Sequence, residues 1–124
     1  MLIHAGMDAG LPECDYASVS HIIPALDKVD QNKLILAHMG GYGEWDSVEK
    51  YIVGSDVYFD TSYSPLPKEQ FVRIIKNHGT DKILFGTDSP WTNQKTAVDT
   101  ILSLGLSTAE NTQILYGNAS KLLV

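Results

Sequence analysis

Four short apolar runs punctuate the chain: Leu2-Ile3, Leu34-Ile35-Leu36-Ala37, Val57-Tyr58-Phe59 and Ile83-Leu84-Phe85, each followed by a helical pattern. They are continuous rather than alternating, the pattern of strands covered on both faces in a parallel sheet packed against helices. Between them, Tyr16 to Val29 carries Val19, Ile22, Ile23, Leu26 and Val29 in one stripe, with Pro24 predicting a kink or a late start. Glu44 to Val53 sets Trp45, Val48 and Ile52 on one side. Pro67 suits a first helical position ahead of Phe71, Ile74 and Ile75, and Gly79 suits the residue just past that helix. Asn93 to Leu104 groups Ala97, Val98, Ile101 and Leu102. Ser107-Thr108-Ala109-Glu110 is a capping box opening a further helix to about Tyr116, and a last short helix is expected from Asn118 to Leu123. The order is β-α-β-α-β-α-β-α with a C-terminal helical hairpin, within one domain over residues 1–124. Such alternation requires a parallel sheet, and both an open doubly wound sheet and a piece of a closed barrel satisfy it.

Charge narrows the partners. Nine Lys+Arg against fifteen Asp+Glu give a net charge of −6, which supplies no basic face for nucleic acid or an acidic membrane. Cys14 is the only cysteine, so there is no intrachain disulfide and no cysteine-based zinc cluster. No apolar run approaches the length of a membrane span, and Met1-Leu2-Ile3-His4 has no signal-peptide pattern, so a cytoplasmic location is the expectation.

The chemistry gathers at strand ends. His4 follows the first run, His38 the second, Asp88 the fourth, and the third ends in Phe59-Asp60-Thr61-Ser62. Barrels draw their ligands and acid–base groups from the C-terminal ends of several strands, which converge on one mouth. Taken singly, each has an ordinary explanation: a hydrogen-bonded loop histidine, a turn opened by Asp88-Ser89-Pro90, or a loop amide satisfied by Asp60. Equivalent placement at three strand ends favours a shared site. His21 and His78 are read as structural, with a partly charged His78 favoured at a helix C-terminus. The glycines Gly40, Gly41 and Gly43 do not form a dinucleotide or phosphate fingerprint and are expected to let the backbone turn beside a site. A flavodoxin-like sheet would need a phosphate loop after the first strand, where Ala5-Gly6-Met7-Asp8-Ala9-Gly10 is acidic.

The strings Leu36-Ala37-His38-Met39-Gly40-Gly41 and Ile83-Leu84-Phe85-Gly86-Thr87-Asp88-Ser89-Pro90-Trp91 are the most specific in the chain. With His4-Ala5-Gly6, Tyr58-Phe59-Asp60-Thr61-Ser62 and the closing Tyr116-Gly117-Asn118-Ala119, the chain resembles strands five to eight and the tail of the amidohydrolase-2 family. That family contains TIM-barrel hydrolases and aminocarboxymuconate semialdehyde decarboxylase-like enzymes. The resemblance implies a (β/α)4 half-barrel with an added C-terminal helical segment and metal-dependent hydrolysis of a C–N or C–O bond in a small molecule. Non-oxidative decarboxylation on the same scaffold is the alternative. It further implies that His4 is a metal ligand, that His38 is a ligand or steers the metal-bound water, and that Asp88 touches the metal and shuttles a proton. Trp91 would line the substrate pocket, and Asp60 has no implied role. The metal expected is Zn²⁺, with Mn²⁺ or Fe²⁺ as alternatives, lowering the pKa of bound water from about 15.7 to ~7.

The family's first strand carries a His-x-His pair, and this sequence, with histidines at 4, 21, 38 and 78, has none. A full barrel runs to ~250 residues, about twice this length. The expectation is therefore an incomplete site with weak or substoichiometric metal, from a split or truncated gene or a shortened chain. Exposed edge strands are expected to drive homo-oligomerisation or pairing with another half-barrel. A non-catalytic fragment or subunit is the reading from outside enzymology.

Overall fold

A computed structural model describes residues 1–123. Strands β1 (Leu2–Ile3), β2 (Ile35–Leu36), β3 (Tyr58–Asp60) and β4 (Ile83–Leu84) form one parallel sheet in the spatial order of the sequence. An open doubly wound sheet reverses its strand order at a switch point. The order β1-β2-β3-β4 has no reversal and is that of a barrel segment. The register aligns Ile3 with Leu36, Leu36 with Phe59, and Phe59 with Ile83. It therefore brings the residues that follow each strand to one end of the sheet.

The continuous apolar runs imply cover on both faces, and the structure covers one. Leu34, Leu36, Val57, Phe59 and Ile83 are buried with Val19, Ile22, Val48, Ile52, Phe71, Ile74, Ile75 and Ile101 of the helices in one cluster. The neighbouring row in register, Leu2, Ile35 and Tyr58, is exposed or half-buried, with Leu2 at 60%. Only β4 is buried at both of its positions. The strand residues are apolar as expected, and among the described residues the helix-facing row is packed throughout while the opposite row is buried only at the β4 side, at Leu84.

Four helices connect or follow the strands: α1 (Val19–Leu26), α2 (Trp45–Tyr51), α3 (Lys68–His78) and α4 (Gln94–Ser103). Helices α1 and α2 are shorter than the stretches Tyr16–Val29 and Glu44–Val53 that their stripes suggest, whereas α3 fills the span between Pro67 and Gly79. Helix α1 keeps Pro24 inside and stops soon after it, while its first amide, Val19 N–H, donates to Glu44 Oε2 at 3.0 Å. Pro67 stands one position outside α3, as its N-cap, and Gly79 closes that helix at φ 109° by donating its N–H to Ile75 O. Asn93 Oδ1 accepts from Lys95 N–H at 2.9 Å and caps α4.

Helix α5 (Thr108–Thr112) opens on the expected capping box, with Ser107 and Glu110 bonded reciprocally. Glu110 also pairs with Lys76 of α3, and that ammonium, with the Ser107 donors, holds its carboxyl down at about 2. The expected hairpin does not form. The chain continues through a π-helical turn, Gln113–Gly117, into α6 (Asn118–Leu122), with Gly117 itself helical at φ −64°, ψ −38°. Buried Asn118 donates to Thr80 O at 2.7 Å and Ile83 O at 2.8 Å, tying this helix to β4.

His78 also departs from expectation. Rather than a charged group at a helix end, it is buried and stacked on Phe59, centroids 3.9 Å apart and planes 7° off parallel. Its Nδ1 accepts from Gly54 N–H at 3.1 Å and its Nε2–H donates to Val57 O at 2.9 Å, which defines one neutral tautomer. Burial holds the imidazole below its ordinary 6.5, with Lys82 adding to the depression and the bond to Val57 opposing it. Below 6.5 the unfolded chain gains a proton at this position that the folded chain resists. Stability from this group is full above that pH and is lost as pH falls toward the lowered folded value. Urea titrations over this range should show the loss in the native chain and its removal in His78→Gln; parallel curves would sink the assignment.

Candidate active site at the strand ends

His4 and His38 meet just beyond β1 and β2, with His38 Nε2 3.1 Å from His4 Nδ1 and the rings edge-on at 67°. The remaining nitrogen of each ring lies against a carbonyl. His4 Nε2 is 3.2 Å from Met7 O, and His38 Nδ1 is 2.8 Å from Ser62 O. A carbonyl only accepts, so the buried His38 Nδ1 carries hydrogen, and the one lone pair left on that ring, at Nε2, faces His4.

The backbone at this point is unusual. His38 (φ 58°), Met39 (φ 53°) and Gly40 (φ 88°) form a tight left-handed turn. For the two non-glycine residues that conformation costs about 1–2 kcal/mol each. Several contacts hold it: His38 N–H donates to Asp60 Oδ1 at 3.1 Å, and Trp45 Nε1–H donates to His38 O at 2.9 Å. At Gly40 a side chain would meet the Phe59 ring at 2.7 Å, so the expected close turn of the glycine segment is present.

Asp88 lies beyond β4, half-buried and also left-handed at φ 58°. It does open a turn, as its residue types imply: Trp91 N–H donates to Asp88 O at 2.8 Å across a cis Ser89–Pro90 peptide. The turn does not remove it from the mouth. Asp88 lines the same cavity of about 580 Å³ as His4 and His38, together with Tyr42, Tyr63 and Trp91. Trp91 is 78% exposed and forms an outer wall. A smaller crevice of about 340 Å³ between α3 and α4 is walled by Phe71, Ile101 and Leu104 and brings no acid–base pair together.

The sequence model of the amidohydrolase family matches residues 1–123. The chain belongs to that family.

Solved amidohydrolase folds agree. A dihydroxybenzoic acid decarboxylase from Polaromonas, with bound manganese and the inhibitor 2-nitroresorcinol, is 27% identical, with a TM-score of 0.58 over 72% of this chain and 32% of its own. A 5-carboxyvanillate decarboxylase from Sphingomonas paucimobilis reaches 0.70 over 98% of this chain and 48% of its own at 14% identity. A zinc-bound amidohydrolase from Burkholderia multivorans reaches 0.64 over 92% and 54% at 16% identity. No match was found among curated protein sequences. This amidohydrolase chain thus spans between 32% and 54% of the length of these solved relatives, which are TIM barrels.

A divalent metal is bound in two of those relatives. In this amidohydrolase chain the donor types are right, because imidazole and carboxylate suit such ions. The number is not. Among the described residues no three His, Cys, Asp or Glu side chains converge closely enough to hold an ion. His4 and His38 are in contact and Asp88 lines the same cavity without closing a three-donor cluster with them, so the residues present do not make a metal site by themselves.

Several participants were not visible in the sequence. Tyr42 and Tyr63 stack at 5.9 Å and 17° to form an aromatic wall, and Tyr42 lies edge-on to His38. Asp60 and Ser62, placed at a strand end but without a role, turn out to touch His38 directly. Their only sequence signal was position.

Proposed function

We propose that this chain supplies half of the catalytic mouth of a metal-dependent hydrolase that cleaves a C–N or C–O bond in a small molecule. The observation that carries the reading is the contact of His4 with His38 at the strand ends, 3.1 Å between ring nitrogens, over a cavity that Asp88 also lines. In this reading His4 provides a donor to a divalent cation, zinc by preference, and the missing donors come from outside this chain. His38 and Asp88 accept and return protons, and Trp91 bounds the substrate. No Lys or Arg of this half lines the cavity among the described residues, so a cation that anchors a substrate carboxylate, as decarboxylation would use, would have to come with the other half. Arg73 is engaged with Glu49 at 2.6 and 2.9 Å, between α2 and α3.

A second reading, decarboxylation, is favoured by the 27% identity to the manganese-bound decarboxylase. A single preparation tests both. The chain is loaded with Zn²⁺ or Mn²⁺, desalted and analysed for metal, then assayed against lactones and amides and, separately, for CO₂ release from hydroxybenzoates. The expected result is well under one metal per chain, with hydrolysis restored only when a matching half-barrel is added. Release of CO₂ without hydrolysis transfers the assignment to the second reading. One tightly held metal per isolated chain would overturn the claim that the site is shared. Sedimentation of the same sample checks the related proposal that β1 and β4, the sheet edges, pair with another half-barrel in the cytoplasm; a monodisperse monomer counts against it.

A further inference from the structure

We propose that Asp60 is a positioning residue that sets the aim of His38. The inference rests on the reading of His38 as an acid–base group, and it concerns how this chain prepares that group.

Asp60 ends β3, is buried, and gathers three donors on one carboxylate oxygen. His38 N–H reaches Oδ1 at 3.1 Å, Ser62 N–H reaches it at 2.9 Å, and the Ser62 hydroxyl makes a short bond to the same atom. One side chain therefore grips two segments: the left-handed turn carrying His38 and the loop carrying Ser62. The second grip completes the device, because Ser62 O is the acceptor for His38 Nδ1–H at 2.8 Å. Asp60 fixes where the His38 backbone stands and also where the carbonyl that orients its ring stands. With Nδ1–H committed to Ser62, the Nε2 lone pair is left pointing at His4.

Free imidazole in water prefers no such fixed arrangement, and a ring nitrogen's role is set by the bond its partner nitrogen makes. Groups that orient a reactive imidazole in this way act through geometry, and their loss is felt at the ring. The neighbourhood is shaped to admit them. A side chain at Gly86, in the loop after β4, would lie 3.3 Å from both Asp60 Cγ and Ser62 Cβ. Gly86 is held there by Thr61, whose Oγ1 accepts Gly86 N–H at 3.0 Å and donates to Gly86 O at 3.1 Å. The glycine of the Phe85-Gly86-Thr87-Asp88 string thus makes room for the Asp60–Ser62 clasp.

The test reads the ring of His38 in the chain stripped of metal with a chelator. Nitrogen-15 NMR of the histidine rings at about pH 8, above the ordinary imidazole range, distinguishes Nδ1–H from Nε2–H. The native chain is expected to show His38 in the Nδ1–H form. Asp60→Ala should lose that signal in favour of a mixed or Nε2–H form. Asp60→Asn keeps an acceptor oxygen in place and should retain it. A merely structural Asp60 would lower the unfolding temperature of Asp60→Ala and leave the tautomer untouched, and that result overturns the proposal. Should Asp60→Ala not fold, Asp60→Glu replaces it: the charge stays, the oxygen moves by a methylene, and the Nδ1–H signal should be lost. Retention of the signal in Asp60→Glu overturns the proposal equally. Failure of the proposed hydrolysis would appear in the turnover assays and leave this ring state unchanged, so the two can fail separately.

Discussion

Replacing Gly6 by alanine is expected to destabilise the fold by about 3–5 kcal/mol and to part His4 from His38, from the loss of two backbone hydrogen bonds on top of left-handed strain. Gly6 sits at φ +94° in an isolated parallel bridge with Tyr42. Tyr42 N–H donates to Ala5 O at 2.7 Å, and Met7 N–H donates to Tyr42 O at 2.9 Å. A methyl group on Gly6 would lie 2.2 Å from Tyr42 N and 2.4 Å from Tyr42 O. Those are backbone atoms with no rotamer to escape into, so the bridge must open. His4 lies two residues upstream and its Nε2 bond ends on Met7 O, one residue downstream, so the segment that aims His4 moves with the bridge. Gly54 is the control. It has a similar φ, +89°, with nothing within 4 Å of the added carbon, and Gly54→Ala should cost only the conformational part, about 1–2 kcal/mol. Chemical denaturation of both variants decides; equal losses would show that the clash at Tyr42 is absorbed and that the bridge does not position His4.

The fold was legible from the spacing of its apolar runs because a parallel strand needs only a few buried residues and a helix needs only a stripe. Lengths were less legible. Helix α1 is shorter than the Tyr16–Val29 stripe because Glu44, far along the chain, caps its start, a contact no local pattern encodes. The continuous helical path through Gly117 is hidden for a related reason. A glycine near a helix end reads as a stop, and what keeps it helical is Asn118 fastening the next turn to β4. The choice between open sheet and barrel segment lay wholly in the strand order, which alternation alone leaves open.

At the site, residue types at strand ends were enough to nominate His4, His38 and Asp88, since parallel register brings strand ends together. The structure sets His4 against His38 and leaves Asp88 in the lining of the same cavity without closing a three-ligand cluster among the described residues. The supporting shell was hidden because its contacts join residues more than twenty positions apart, as His38 does to Asp60 and Ser62. Histidine identity also carried no information on tautomer. His78 and His38 each have one N–H committed to a backbone carbonyl, yet one is spent within the core and the other leaves its free nitrogen at the mouth.

Phe59 joins these two histidine environments, and Phe59→Ala is expected to cost about 3–5 kcal/mol through lost burial and the cavity left behind. The side chain is fully buried on β3, between the Gly40 turn on one side and the His78 ring on the other. Removing it deprives His78 of its stacked cover and admits water to an imidazole whose lowered pKa comes first from burial. Its folded value should then return toward the ordinary one. The pH dependence of stability below 6.5 should flatten together with the overall loss. Phe59→Leu fills most of the space and should cost clearly less than Phe59→Ala, keeping the pH dependence. Urea unfolding at several pH values reads both quantities on the same samples. If Phe59→Ala is destabilised while its pH profile stays that of the native chain, then His78 is desolvated by other neighbours and the stacked ring serves packing alone. If the profile flattens, the core residue next to Asp60 on β3 is what keeps one histidine neutral, while the next residue along aims the other.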